Sequence, residues 1–189
     1  NTAGRGKFNN VQKARIRKTR FYMQERKAFL EDLKNDLNKF SDFCSKHGRR
    51  PAIRLNGTSD LNWLKLIKEF NHIQFYDYTK NLSDSFSSKA IKIQNYSLTL
   101  SYSQASFNYA FKAKAQAEKY NLNMAVVVRN EKAKSNFLGR IDTFFGKDSM
   151  NFIDGDKTDL RFLDLKNSIV FLSAKGSAKK DLSGFVIDA

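Results

Sequence analysis

The chain changes rhythm near Pro51. Upstream, Leu30, Leu33, Leu37, Phe40 and Cys44 recur at helical intervals with Lys and Asp between them, which marks one apolar helix face. Asn9 or Asn10 is placed to cap a helix beginning near Val11, and Gly48 followed by Pro51 supplies the stop. One or two helices are predicted over residues 1–47, basic at the start and amphipathic toward the end. Downstream, short apolar runs alternate with helical stretches. The runs are AIRL (52–55), IQFYDY (73–78), YSLTLS (96–101), NMAVVV (123–128), NFI (151–153) and SIVFL (168–172), with FVID (185–188) as a last strand. LNWLKLIKEF (61–70) and NYAFKAKAQAEKY (108–120) are the clearest helices between them. In the first, Leu61, Leu64 and Ile67 with Trp63 and Phe70 can line a buried stripe. NLSDSFSSKA (81–90) reads as a polar loop.

Strands alternating with helices predict βαβ units, hence an α/β fold with a mostly parallel sheet. A chain of 189 residues suits one domain, here a helical arm over 1–47 and an α/β core over 48–189. In parallel sheets the carboxyl ends of the strands share one edge, and ligands bind there. Asn56, Ser59 and Asp60 follow the first run; Asp77, Tyr78, Thr79 and Lys80 end or follow the second. Ser101 and Ser103 follow the third, Arg129 the fourth, Asp154 and Asp156 the fifth, Ser173 and Lys175 the sixth. These residues are expected to converge on one mouth. Asn56, Ser59, Asp60, Tyr78, Lys80, Ser101, Ser103, Arg129 and Lys175 are its ligand- or phosphate-binding candidates.

Charge adds a partner class. Lys and Arg total 34 against 19 Asp and Glu, a formal net charge of +15, which points to a polyanion such as nucleic acid. The excess is concentrated at the start, where Arg5, Lys7, Lys13, Arg15, Arg17, Lys18 and Arg20 could track a phosphate backbone. The plainer alternative is a solvated helix face. A hydrophobic content of 41% argues against wholesale disorder. With no secretory h-region and no run of about 18 apolar residues, the expectation is a cytoplasmic protein without a membrane partner.

Some chemistries are excluded and others left open. Lone Cys44 cannot form an internal disulfide or an all-cysteine metal site, and it falls on the apolar stripe. His47 and His72 lie in no zinc spacing, so no metal ligand set is assigned. FIDGDKTDLRFLD (152–164) gathers Asp154, Asp156, Asp159 and Asp164 but fails the calcium-loop template. Asp154 and Asp156 could hold Mg2+ together with water. The preferred reading has Asp159 capping the short helix LRFLD while Arg161 and Lys157 pair with neighbours. Asp77, Asp154 and Asp156 are the acid/base or metal candidates if the protein is catalytic. RLNGTSD (54–60) supplies Ser59 or Asp60 as a helix cap; its backbone could receive an anion, or it is an ordinary turn. AKGSAKKDLSGF (174–185) is a second cationic loop, able to close over a phosphate or simply exposed.

TAGRGKFNNVQKARIRKTRFY, PAIRLNGTSD, IQFYDYTK, NYSLTLS, NMAVVV, IDGDKTDLRFLD and AKGSAKKDLSGFV recur in the same order in the gene-product-88-like phage and prophage proteins, which this chain resembles over its whole length. The resemblance implies a phage-type protein, located in the bacterial host cytoplasm, with an incomplete (βα)6-type barrel behind basic N-terminal helices. Such relatives carry a cysteine-rich segment before TAGRGKF and are similar in outline to radical S-adenosylmethionine enzymes. By that analogy Asn56 to Asp60 would lie near the methionine amino group, and Ser101 and Ser103 near the ribose. This sequence opens at the motif and Cys44 cannot hold a cluster alone, so no iron–sulfur cluster is expected from it. Mg2+ and S-adenosylmethionine stay open as cofactors. The leading expectation is binding of nucleic acid or a phosphate-bearing nucleotide at the strand-end edge. The alternatives are a nucleotide- or nucleic-acid-modifying enzyme and a phage protein that blocks a host protein.

Overall fold

The computed structural model describes residues 8–145 and 151–188, with backbone alone for 140–145. The candidates Arg5 and Lys7 lie outside the described residues. The chain falls into two compact units, Asn1–Ala52 and Ile53–Ala189.

The first unit is a pair of helices, α1 (Asn9–Gln24) and α2 (Arg26–Lys46). The cap position of α1 is Phe8, not Asn9 or Asn10; the Asn10 side chain accepts the Val11 N–H at 2.9 Å instead. Glu25, with non-helical φ −131° and ψ 50°, breaks the chain between the helices. Phe29 closes that corner edge-to-face on Phe21 and Tyr22, with ring centroids 5.5 and 5.3 Å apart. Leu37, Ser41 and Cys44 form the buried face of α2, while Phe40 of the expected stripe is exposed. Gly48 ends the helix as anticipated. It turns left-handed at φ 63°, and the Arg49 N–H reaches back to the Cys44 carbonyl at 2.8 Å.

The rest is a seven-stranded open sheet, β1 (Ala52–Ile53), β2 (Gln74–Thr79), β3 (Tyr96–Ser101), β4 (Asn123–Val128), β5 (Asn151–Asp154), β6 (Ser168–Ser173) and β7 (Val186–Ile187). The pairs β2–β3, β3–β4, β4–β6, β5–β6 and β4–β7 all run parallel. Strands β2 to β6 fall within a residue of the apolar runs, and the mixed, mostly parallel α/β class is as expected. Intervening helices are α3 (Leu64–Glu69), α4 (Asp84–Ala90), α5 (Phe107–Tyr120) and α6 (Glu131–Phe145). Helix α4 occupies the stretch read as a loop. Its Ser-rich composition resembles one, but Phe86, Ser87 and Ala90 turn inward and burial holds the helix.

The strand order is β1-β2-β3-β4-β6-β5, so the last two large strands exchange places. This has a topological consequence. Each step from β2 to β5 moves the same way across the sheet, and right-handed crossovers put the connecting helices on one face. The step from β5 to β6 turns back, which sends residues 155–167 and their 3-10 turn (Arg161–Leu163) across the other face. Side chains agree. Phe137 of α6 packs on Tyr102 and Phe171, whereas Phe162 of the turn packs on Tyr76.

Register then assigns residues to faces, since aligned residues of parallel strands point the same way. Asp77 aligns with Leu98 in the helix-covered set, with Thr79 and Leu100. Tyr78 aligns with Thr99, and Ser101 with Ala125, on the face crossed by the turn. That second face is unusually polar, with Tyr76, Tyr78, Ser97, Thr99, Ser101, Asn123 and Ser168 across four strands. Gly155 is the tight point on it. A Cβ there would lie 2.5 Å from Val170 and 2.8 Å from the Arg161 guanidinium, so only glycine fits.

Candidate functional site

The strand ends are built around one carboxylate. Asp77, 1% exposed, accepts the Asn56 N–H at 2.7 Å and meets the Asn56 amide and the Tyr96 hydroxyl, each at 3.4 Å. Burial pushes its carboxyl up to about 6, against the lowering effect of those hydrogen bonds. Asn56 in turn organises the following loop. Its Oδ1 accepts from the Ser59 hydroxyl at 2.9 Å and from the Leu61 N–H and Trp63 Nε1, both at 3.0 Å. Asp60 closes the loop onto β2 by accepting the Thr79 hydroxyl at 2.6 Å and the Lys80 N–H at 2.7 Å. Neither Ser59 nor Asp60 caps α3, which begins only at Leu64.

The ends of β3 and β4 are taken up by the chain's own last residues. The Ser103 hydroxyl donates to the Gly184 carbonyl at 3.3 Å, and the Gln104 N–H reaches the same oxygen at 2.7 Å. Arg129 pairs with Asp188 at 2.7 Å and donates to the Lys179 and Asp181 carbonyls. Lys80 sits 4.3 Å from the Phe185 ring centroid. Ser101 and Tyr78 stay half-buried on the turn-covered face, where burial pushes the Tyr78 hydroxyl up to about 12. Its ring carries the Arg54 guanidinium at 5.3 Å.

The aspartates disperse. Asp154 accepts the Asp156 N–H at 3.1 Å, and Asp156 accepts from the Ser173 N–H at 2.9 Å and Lys175 Nζ at 2.8 Å. Asp159 does not cap the 3-10 turn, whose cap position is Leu160; it pairs with Arg54 at 3.0 Å. Asp164 faces Arg161 at 3.3 Å, both withdrawn from solvent. Among the described residues no three His, Cys, Asp or Glu side chains group to hold a metal. Asn56, Asp60 and Ser103, which the radical-enzyme analogy would turn toward S-adenosylmethionine, make hydrogen bonds within the protein.

Helix α1 is different in kind. No Asp or Glu occurs before Glu25, while Lys13, Arg17, Lys18 and Arg20 are exposed and form no ion pair among the described residues. Arg15 is half-buried. At 100° per residue, Lys13, Arg17 and Arg20 share one stripe with Gln24, flanked by Ile16 and Phe21. The stripe borders an open groove of about 540 Å³. Its cations span about 10 Å, the axial rise of about three nucleotides.

An open parallel sheet preceded by a basic, acid-free helix defines a basic α/β protein. The chain belongs to the gene product 88 family, a phage-type family whose model matches residues 1–189. No curated protein and no solved structure matches it. No helix among the described residues is long and apolar enough to cross a membrane.

Proposed function

We propose that the protein binds nucleic acid, with the Lys13–Arg17–Arg20 stripe of α1 against the phosphate backbone. The single observation that supports it is a 16-residue helix with exposed cations and no acid of its own. A helix that served only to pack would bury a face, yet α1 buries no residue. The strand ends are left out of this contact because Ser103, Arg129 and Lys80 are already engaged by residues 176–188.

Each phosphate neutralised releases counterions, so three to four such contacts weaken binding by roughly 100-fold between 50 and 200 mM salt. Fluorescence anisotropy with a labelled oligonucleotide across that range measures the slope. Lys13→Gln, Arg17→Gln and Arg20→Gln together should flatten it. Affinity indifferent to salt, or unchanged in the triple variant, sinks the proposal.

A further inference from the structure

Helix α5 is packed the wrong way round for its composition. It buries Ala110, Ala113, Ala117 and Gln116, and it exposes Phe107 at 78% and Phe111 at 57%. The small inward face is explained by close packing, with Gln116 bonded to the buried Ser87 of α4 at 2.5 Å. Neither ring makes an aromatic or cation–π contact among the described residues. They stand one turn apart, about 6 Å along the axis, on the solvent side.

The outer arc of the helix carries Lys112, Lys114 and Lys119; Lys114 meets Glu118, the helix's one acid, at 3.7 Å, and Lys119 pairs with Asp84 of α4 at 2.5 Å, which leaves Lys112 as the cation beside the rings. Lys112 is exposed and forms no ion pair among the described residues. Phe111 and Lys112 border a shallow groove of about 280 Å³ against Leu82, with the paired Asp84 and Lys119 at its edge. A second copy of a chain carrying +15 would bring like charges together here, whereas a polyanion with flat apolar groups complements both features.

We infer that Phe107 and Phe111 are a stacking platform for unpaired bases, so that the ligand is single-stranded nucleic acid. This rests on the nucleic-acid reading above and adds strand preference to it. Base–aromatic stacking tolerates any sequence, and a duplex, whose bases are already stacked, gains nothing from the rings.

The test compares a labelled oligothymidylate with a duplex of equal length, using the wild type, Phe107→Ala/Phe111→Ala and Phe107→Tyr/Phe111→Tyr. The alanine pair should lose about 30-fold or more on the single strand and leave duplex affinity unaltered, while the tyrosine pair keeps both. Both rings are exposed, so thermal unfolding should be the same in all three proteins. Duplex binding that survives with single-strand affinity unmoved by the alanines overturns the platform and spares the role of α1. Failure of the wild type to bind either probe overturns both. A dimer, or adhesion to anionic vesicles, that the alanine pair abolishes would assign the rings to self-association or to a lipid surface and also overturn the platform.

Discussion

Arg161 Nη1 lies 3.3 Å from Asp164 Oδ2 with both side chains out of reach of solvent, within the segment that returns from β5 to β6. Apart from that ion pair, these two atoms and Arg161 Nε find no hydrogen bond among the described residues. Burial pushes the Asp164 carboxyl up, and the guanidinium only partly opposes it. Removing one partner strands the other charge. Asp164→Ala should therefore cost about 3–5 kcal/mol in urea unfolding, and Arg161→Met with Asp164→Leu much less, because neither charge remains. A double variant as unstable as the single one would mean that the pair holds the turn by more than mutual neutralisation.

Asp77 makes stability depend on pH in the unusual direction for a carboxylate. Its folded value of about 6 stands above the ordinary 3.8, so the folded protein holds the proton more tightly than the unfolded chain. The stabilising contribution is full below about 3.8 and is lost as pH rises through about 6. The difference amounts to about 3 kcal/mol. Asp77→Asn keeps one oxygen for the Asn56 N–H and removes the titration. Denaturant melts between pH 4 and 7 should show the wild type losing stability with rising pH relative to the variant. Parallel curves would refute it.

Gly184 secures the last residues. Its φ of +83° is left-handed, and a Cβ would lie 2.7 Å from the backbone nitrogen of Ala105. Gly184→Ala is thus strained by conformation and by contact with backbone that cannot move aside. It should release residues 176–188 from Ser103 and Gln104, with the amides of that segment and of the β3 end exchanging faster while β4 and β6 stay protected. Uniform protection in the variant would show that the Arg129 contacts suffice alone.

What the sequence discloses and what it hides follow physical lines. Val126, Phe171 and their neighbours form apolar runs because those strands are covered on both faces, so strand positions were legible from local pattern. The exchange of β5 and β6 was not, since no local periodicity encodes which strand a strand will pair with. Arg161 reads as a surface cation, and only the returning segment makes it core. Asp159 looks like a cap from its position before LRFLD, yet its partner Arg54 is 105 residues away. Strand-end polar residues were legible as a set, but not their capture by the last residues, which depends on β7 joining β4 beside β3. Phe107 and Phe111 carry no local mark of exposure, because a helical pattern does not say which side the neighbours occupy.

Asp156 supplies the opposite pH signature to Asp77. Burial, the largest single influence, would raise its carboxyl, but the bonds from Lys175 and Ser173 together outweigh it and hold the group at about 2. Its folded value is therefore below the ordinary 3.8, and the stability it contributes is present above about 3.8 and lost as pH falls through about 2. Lys175→Met removes the nearest cation while leaving the Ser173 N–H in place. In the variant the carboxyl should titrate higher, by NMR of the Asp156 side chain, and the acid loss of stability should begin at higher pH. The same substitution should leave the Asp77 titration untouched, because Asp77 is set by burial and by Asn56, Tyr96 and Arg54. A Lys175→Met protein whose Asp156 still titrates near 2 would mean that the Ser173 bonds alone set the value and that the cation is dispensable to the turn.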